Sequence, residues 1–267
     1  MCFLILKMLT LNDMNILSFC KNVFLLCSVT LLLHACKKHH EVDTNEYLLS
    51  RVDINGWHAS DYYYNDSAQL IKSINWQPKS PSAFVELWHE YNYNNQKQIT
   101  QVINTPYYTG YGIKNEYTYN SDGKLVLIQT YHSITNAFLN TYKYSYTDHT
   151  ITETYAENGV TLYVYTFTID DKGNFVKAVR DDQTATNNDW VEEWLDYDEK
   201  PNIAGPSIGN ISAKNNPRRH TAVFPGGGLV TDYYKYNYNN AGYVTERKVY
   251  QTGGSIINVY KYTLIPK

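Results

Sequence analysis

Apolar and aromatic residues alternate with polar residues along most of the chain after residue 46, which is the period of a half-buried β-strand. The segment from Asn140 to Thr147 shows this best, because Tyr142, Tyr144 and Tyr146 share one face while Thr, Lys and Ser residues occupy the other. No stretch after Cys36 sustains the i, i+3, i+4, i+7 spacing of an amphipathic helix. The pattern predicts an all-β protein.

The alternation is organised in a repeat, in which an aromatic or apolar anchor precedes a turn rich in Asn and Asp, and an apolar residue follows the turn. The anchors are Tyr64, Tyr93, Tyr119, Tyr146, Ile169, Tyr197 and Tyr238. Asn, Asp and Gly adopt the left-handed conformations that tight loops need, so each copy predicts a β-hairpin. Seven hairpins predict an antiparallel meander of about 12–14 strands, curled into a barrel or a strongly bent sheet. The segment from Ile256 to Ile265 reads as a half-repeat that closes the sheet.

The repeat resembles the Tyr-Asp repeats of secreted bacterial proteins, and more closely a family of Tyr-rich bacterial lipoproteins whose domain has no known function. The segment from Tyr197 to Asn202 is similar to that family's Tyr-Asp-x-Lys-Pro-Asn turn, although Ile203 stands where the family usually has a second Pro. Ala68 and Gln96 fall near turn positions that usually hold Gly. The resemblance covers residues 60–265 and implies a porin-like, barrel-shaped fold, but no activity.

The N-terminal region predicts secretion. The apolar run from Val23 to Ala35 follows Lys21 and ends at Cys36. A spanning helix needs about 20 apolar residues, so this shorter run fits the central region of a signal peptide. The segment from Leu33 to Cys36 resembles the bacterial lipobox, which implies cleavage before Cys36 and diacylation of its thiol. An uncleaved anchor and a plain secretory signal are the alternatives.

The chain therefore divides into three predicted regions. Residues 1–35 form the signal peptide, and Met14 makes a better start than Met1 because Asp13 and the apolar run before it do not suit a signal. Residues 36–46 are polar and form a lipidated tether. Residues 47–267 form the Tyr-rich β-repeat domain.

Composition excludes several classes of function. All four cysteines lie within the first 36 residues, which excludes a disulfide scaffold, a cysteine metal site and a cysteine nucleophile from the β domain. The formal net charge of −3 provides no basic face for nucleic acid. The 27 tyrosines combine a flat apolar ring with a polar tip, which suits half-wet strands and aromatic surfaces.

The segment from Gly205 to Gly209 matches the G-x-S-x-G elbow of serine hydrolases. That chemistry needs a strand before the serine and a helix after it, but Pro206 precedes Ser207 and Pro217 follows within ten residues. We therefore interpret the segment as a loop between repeats and predict no catalytic residue there.

The sequence contains candidate metal ligands and candidate glycosidase carboxylates, but no specific motif for either chemistry. His39, His40, Glu41 and Asp43 lie in the tether, where no rigid scaffold would hold a metal ion. The carboxylates of a glycosidase could come from the group of Glu192, Glu193, Asp196 and Asp198, although separation and burial decide such a role. We predict no metal site and no cofactor.

The segment from Ile203 to Leu229 is the longest interruption of the repeat, and insertions on rigid β scaffolds often carry recognition. We predict a ligand site formed by residues in or near it, namely Trp190, Trp194, Arg218 and Arg219. The alternative is that both tryptophans simply pack in the core or line the barrel.

Taken together, these features predict a lipid-anchored protein of the bacterial outer membrane or cell surface. Its membrane contact is the lipid, and its partner is a glycan or an envelope protein, with no nucleic acid involved. A non-catalytic binding or structural module is the leading hypothesis, and an envelope hydrolase acting on a carbohydrate or ester is the alternative. A membrane-spanning porin is disfavoured because the residues that alternate with tyrosine are mostly Thr, Lys, Asn and Ser.

Overall fold

A computed structural model describes residues 47–80, 83–106, 112–184, 189–202, 207–208 and 211–267. These residues form β-strands, turns and loops, and no helix occurs among them. Within the same ranges, no helix is long and apolar enough to cross a membrane. The predicted signal peptide, Cys36 and the tether lie outside the described residues, so lipidation of Cys36 stays a prediction.

Sixteen of the described strands belong to one sheet, and two short strands form a separate hairpin. The first nine strands are β1 (Tyr47–Ile54), β2 (Trp57–Tyr64), β3 (Leu70–Ser80), β4 (Ala83–Tyr93), β5 (Ile99–Pro106), β6 (Ile113–Tyr119), β7 (Leu125–His132), β8 (Phe138–Tyr146) and β9 (Thr150–Glu157). The other nine are β10 (Val160–Ile169), β11 (Phe175–Asp182), β12 (Trp190–Leu195), β13 (Ser207–Ile208), β14 (Ile211–Ser212), β15 (Arg219–Val223), β16 (Leu229–Tyr238), β17 (Val244–Gln251) and β18 (Ile256–Pro266).

The large sheet is an antiparallel meander that closes into a barrel, because β1 pairs with β18. Barrel strands that are neighbours in space follow each other in sequence, and β12 pairs with β15 across the connection that contains the β13–β14 hairpin. The predicted all-β meander curled into a barrel is confirmed. The sixteen barrel strands exceed the predicted number of about 12–14 because β1 and β18 flank the seven copies of the repeat and pair with each other to close the barrel.

The turns of the repeat lie at one end of the barrel, which we call the repeat end, because every second connection of an antiparallel meander returns to the same side. The chain also enters β1 and leaves β18 at this end, where Tyr47 pairs with Pro266. The alternate connections, such as Asn55-Gly56 and Asn158-Gly159, form the opposite end, which we call the distal end.

The chemistry of the repeat turns is clearest between β6 and β7. Asn120 Oδ1 accepts hydrogen bonds from the backbone N–H groups of Asp122 and Lys124 at 3.0 and 2.9 Å. Gly123 adopts a left-handed conformation with φ of 76°. Side-chain oxygens accept backbone hydrogen bonds in the same way in four other turns, at Asn65, Asn94, Asp170 and Asn239. The predicted hairpins therefore form for the expected reason.

The first two copies of the repeat hold a non-glycine residue in the left-handed position. Ala68 has a φ of 58° and Lys97 a φ of 64°. The residue that takes the place of glycine in the second copy is thus Lys97, the neighbour of Gln96. The copy at Tyr146 is one residue shorter because Thr147 N–H bonds to Thr150 O, which closes a two-residue hairpin loop.

Each repeat turn except the one after Tyr197, whose Ile203 lies outside the described residues, is followed by an apolar side chain that points into the barrel and is at most 2 % exposed. These residues are Leu70, Ile99, Leu125, Ile151, Phe175 and Val244, and Leu49 on β1 joins them. They belong to two buried clusters that both contact Tyr117. We call this layer of side chains the floor, since it fills the repeat end of the barrel.

In four copies of the repeat, a tyrosine hydroxyl bonds to the backbone of a floor residue on an earlier strand. Tyr93 donates a 2.6 Å hydrogen bond to the carbonyl of Leu70, which is the floor residue of the preceding hairpin. Equivalent bonds run from Tyr64 to Leu49, from Tyr146 to Leu125 and from Tyr197 to Phe175. Burial raises the pKa of the Tyr93 hydroxyl, so it remains a donor at physiological pH. This ladder gives the periodic tyrosine a structural role.

Replacing Tyr93 with Phe is expected to lower the free energy of unfolding by about 1–3 kcal/mol, because the Leu70 carbonyl would lose its hydroxyl donor in a buried setting. Tyr63→Phe is the matched control, since Tyr63 points outward and is 46 % exposed. Urea unfolding followed by tryptophan fluorescence measures both variants. Equal effects for the two substitutions would contradict a role for the ladder.

Candidate functional site

Strand β12 presents three side chains with binding chemistry to the barrel interior. Trp190, Glu192 and Trp194 alternate with Val191 and Glu193, which point outward. Trp194 is buried in the same cluster as Phe175, which fixes the inward direction of this face. Because β12 runs from the distal end toward the repeat end, Trp190 lies near the distal opening and Trp194 near the floor.

Arg180 lies beside Trp190 on the neighbouring strand β11. Its guanidinium carbon is 4.4 Å from the ring centroid of Tyr163 and 5.3 Å from that of Trp190. Its Nη2 atom is 3.5 Å from Asp182 Oδ2. A guanidinium held against two aromatic faces is partly desolvated, and this strengthens its interaction with the rings. The distal part of the inner wall thus combines a cation with flat aromatic surfaces.

His220 connects the aromatic and acidic parts of this wall. Its ring stacks on Trp194 with centroids 5.3 Å apart and an interplanar angle of 20°. Its Nε2 atom is 2.9 Å from Glu192 Oε2. On the other side, His220 pairs across strands with Asp232 of β16. Glu192, His220 and Asp232 therefore form a row across three neighbouring strands.

Arg247 extends this row onto β17. It is a buried side chain whose guanidinium carbon lies 4.2 Å from the Tyr260 ring centroid and 5.7 Å from that of Tyr234. Burial raises the pKa of the Asp232 carboxyl, and the charges of His220 and Arg247 oppose this effect. Acidic and basic side chains alternate along the row, which limits the desolvation cost of placing several ionisable groups inside the barrel.

A further carboxyl lies on β9. Glu153 is buried and accepts a 2.7 Å hydrogen bond from the hydroxyl of Tyr144. Burial raises the pKa of Glu153 to about 7, although the bond from Tyr144 acts in the opposite direction. Tyr165 lies between Glu153 and Arg180 in the sheet. The inner wall from β9 to β17 is therefore rich in both aromatic and ionisable groups.

The inner wall from β2 to β5 has a different character, because it carries a neutral hydrogen-bonded chain. Ser60 Oγ donates to Asn75 Oδ1 at 2.8 Å, and Asn75 Nδ2 lies 2.8 Å from His89 Nε2. The other ring nitrogen of His89 is 2.5 Å from Asn104 Oδ1. Burial lowers the pKa of His89, which favours the neutral ring that this chain requires.

A cleft of about 490 Å³ opens at the repeat end, outside the floor. Its lining includes Leu48 on β1, Ala68 and Lys97 in two repeat turns, and Lys267 after β18. It does not contain the aromatic and charged set of the inner wall. We therefore place the candidate site on the inner wall of β9 to β17.

The four residues predicted to form the ligand site divide between two locations. Trp190 and Trp194 lie together on the inner wall, as described above. Arg219 instead points outward, where its Nε atom is 3.4 Å from Asp196 Oδ2, and Arg218 is exposed at the repeat end. The arginines follow Trp194 closely in sequence, but strand alternation and the long connection separate them from the inner wall.

The other residues weighed from the sequence do not gather into a reactive site. Ser207 lies in the two-residue strand β13, which pairs with β14 rather than leading into a helix. Of the weighed carboxylates, Glu192 points inward and Glu193 outward, while Asp198 accepts a hydrogen bond from Tyr238 at the repeat end. In the part of the chain that the structure describes, no three His, Cys, Asp or Glu side chains come together as metal ligands.

Sequence reasoning missed the ionisable residues that surround Trp190 and Trp194. They are Glu153, Arg180, His220, Asp232 and Arg247. Only Glu192 could have been found from the sequence. It is two residues from each tryptophan, and side chains two residues apart on a strand lie on the same face. Finding the rest required the pairing of β11, β15, β16 and β17, which depends on loops whose length does not specify register.

The fold resembles two bacterial barrels of known structure. A porin-like protein from Bacteroides uniformis matches with a TM-score of 0.53 and 18% sequence identity, over 81% of this chain and 96% of that chain. A porin-like protein from Bacteroides vulgatus matches with a TM-score of 0.51 and 10% identity, over 80% of this chain and 97% of that chain. The chain shares the fold of these barrels. No family model and no curated protein matches the sequence.

These neighbours agree with the porin-like barrel that the repeat implied. At such low identity the likeness extends to the fold alone, so it transfers neither the lipoprotein family nor an activity. What the inner wall does must be argued from its own residues.

Proposed function

We propose that the protein is a lipid-anchored module of the bacterial cell envelope that binds a glycan inside its barrel without catalysing a reaction. The observation that carries this proposal is the inward row of Trp190, Glu192 and Trp194 beside Arg180 and His220. Flat aromatic rings can stack on the C–H faces of sugars, while nearby charged groups can bond to the hydroxyls. A concave apolar wall with a few placed polar groups is the usual design of a small-ligand site.

The outer wall supports a barrel that stands in water. Lys143, Lys177, Glu193 and Lys248 all point outward from the strands that carry them. A barrel that spans a bilayer needs an outward apolar band about 25 Å tall, and outward lysines near its middle are costly. The polar outer wall therefore favours attachment through a lipid over insertion of the barrel.

The floor supports binding over passage. Its side chains are almost completely buried and fill the repeat end, as shown by Phe175 and Leu125 at 2 % and 1 % exposure. Toward the distal end, inward side chains are more accessible, and Val230 is 38 % exposed. A ligand would enter at the distal end and stop at the floor, which suits a receptor better than a channel.

Trp190→Ala and Glu192→Gln are each expected to weaken glycan binding about tenfold, which corresponds to about 1.4 kcal/mol for a lost stacking or hydrogen-bonding contact. A glycan array with residues 47–267 would identify the probe, and calorimetry with the best oligosaccharide would give the affinities. Glu193→Gln is the matched control on the outward face of the same strand. An unchanged affinity in the first two variants would refute the inner-wall site, and cleavage of the probe would favour the hydrolase alternative.

The lipid anchor has its own test. Expression in a bacterial host with labelled palmitate is expected to label the wild-type chain and to leave Cys36→Ser unlabelled, because only a cysteine thiol accepts the diacylglyceryl group. Mass spectrometry of the mature N-terminus checks the cleavage before residue 36. Cys27→Ser serves as the control, and an unacylated wild-type protein would reject the anchor.

A further inference from the structure

The distal end of the barrel carries most of the large hydrophobic side chains that are exposed among the described residues. Ten of the fourteen such residues lie in the distal turns or within two residues of them. The six most exposed of these ten, at 44 to 67 %, come from five different turns around the opening. We call them the distal rim, and they are Trp57, Ile134, Phe138, Val160, Leu229 and Ile256. Clustered exposure of this kind marks an interaction site.

The distal turns are also nearly free of charge. Among their described residues, Asp189 is the only one with a charged side chain. Six of the seven repeat turns at the opposite end carry charged residues, such as Asp66, Asp122 and Asp171. The barrel therefore has one charged end, which suits water, and one end that is apolar and almost uncharged.

Three acidic side chains at the distal end are already bonded to protein donors. Glu157, the last residue of β9, accepts a hydrogen bond from the hydroxyl of Tyr155. Asp182, the last residue of β11, accepts bonds from the backbone N–H and the hydroxyl of Thr184 at 3.0 and 2.8 Å. Asp189 accepts a 3.1 Å bond from the backbone N–H of Asp182. Contact of the rim with an apolar phase would leave none of these carboxylates without a donor, which lowers the cost of that contact.

The arrangement and the charge of the rim indicate which partner it suits. Its side chains come from separate turns around an opening rather than from one groove, so they are complementary to a flat surface. The interface of a bilayer is flat and accepts uncharged apolar and aromatic side chains. Nucleic acids and anionic surfaces select basic groups, which the described distal turns do not offer.

We propose that the distal rim docks on the surface of a lipid bilayer by inserting its side chains among the head groups. The rim lies opposite the chain entry at Tyr47, so this bilayer faces the barrel from the side away from the proposed anchor. The inner wall opens within the rim, and docking would therefore bring lipid head groups to its entrance. This proposal goes beyond glycan binding and does not depend on it.

Co-sedimentation with phosphatidylcholine vesicles tests the docking. Residues 36–267 with Cys36→Ser are used, because this chain contains all sixteen barrel strands and carries no acyl chain. It is expected to sediment with the vesicles. Val160→Asp and Leu229→Asp are each expected to lower the partition coefficient about tenfold, since each removes an apolar contact and adds a charge that would lose water. Ile71→Asp is the matched control, because Ile71 is 42 % exposed near the repeat end.

Both rim positions are exposed, so aspartate does not enter the core there, and thermal unfolding verifies each variant. Trp190→Ala separates the two proposals, because it should weaken glycan binding and leave vesicle binding unchanged. Absence of vesicle binding, or equal binding by the Val160, Leu229 and Ile71 variants, would overturn the inference. Binding only to vesicles that contain anionic phosphatidylglycerol would overturn it as well, as would a vesicle-independent dimer that the rim variants abolish, since charge or a second copy would then explain the rim.

Discussion

Replacing Phe175 with alanine is expected to lower the free energy of unfolding by about 3–5 kcal/mol, which is the usual cost of removing a buried aromatic side chain. Phe175 is 2 % exposed and its ring centroid lies 5.7 Å from that of Phe167. It packs in one buried cluster with Leu125 of the floor and Trp194 of the inner wall. Removing the ring leaves a cavity. Because the floor also supports the strands that carry the inner wall, this cavity would loosen both the floor and the inner wall.

Urea unfolding followed by circular dichroism measures this effect. Val179→Ala is the control, since Val179 lies on the same strand but pairs with the outward Val191. A loss below about 1 kcal/mol for Phe175→Ala would be inconsistent with a tightly packed site, where cavities cannot collapse. The repeat end would then have to be open, and the argument for a closed floor would fail.

Glu153 is expected to make the protein less stable as the pH rises from about 4.5 to 7. Burial raises the pKa of its carboxyl from 4.5 to about 7 in the folded state. In this window the unfolded chain has already released the proton that the folded chain still binds, so rising pH favours unfolding. Above pH 7 the loss is complete and amounts to roughly 3 kcal/mol.

Glu153→Gln removes this titration and keeps an oxygen that can accept the Tyr144 hydroxyl. The variant is therefore expected to be more stable than the wild type at pH 8, by up to the same roughly 3 kcal/mol, and about equal to it at pH 4.5. Denaturant unfolding at five pH values between 4 and 8 gives both curves. Glu193→Gln on the outward face should show the same dependence of unfolding free energy on pH as the wild type. If Glu153→Gln also ran parallel to the wild type, the Glu153 carboxyl would be excluded as the cause of that pH dependence.

The barrel could be predicted from the sequence because its information is local. Alternation placed the tyrosines of β8 on one face, and the Asn-rich turns fixed the hairpins, so the meander follows without knowledge of distant contacts. The hydrogen bonds of the tyrosine hydroxyls could not be predicted, because they join residues that are distant in the sequence. The bond from Tyr93 to Leu70 joins residues 23 positions apart, and its register becomes visible only once the neighbouring hairpins are paired.

The candidate site shows the same limit. Trp190 and Trp194 could be assigned to one face because they are four residues apart on one strand. Arg218 and Arg219 were grouped with them by closeness in sequence, yet alternation turns Arg219 outward to Asp196. Arg180 joins the site through pairing across the connection between β11 and β12, and the composition of that connection says nothing about register.

The position of β1 at the repeat end decides how an anchored molecule would stand. Ten residues separate Cys36 from Tyr47, and a stretched chain of that length reaches about 35 Å. The repeat end, which the floor closes, would therefore lie nearer the lipid, and the distal opening would face away from the bilayer. A polymer that approaches from the aqueous side of the membrane would therefore reach the distal opening first.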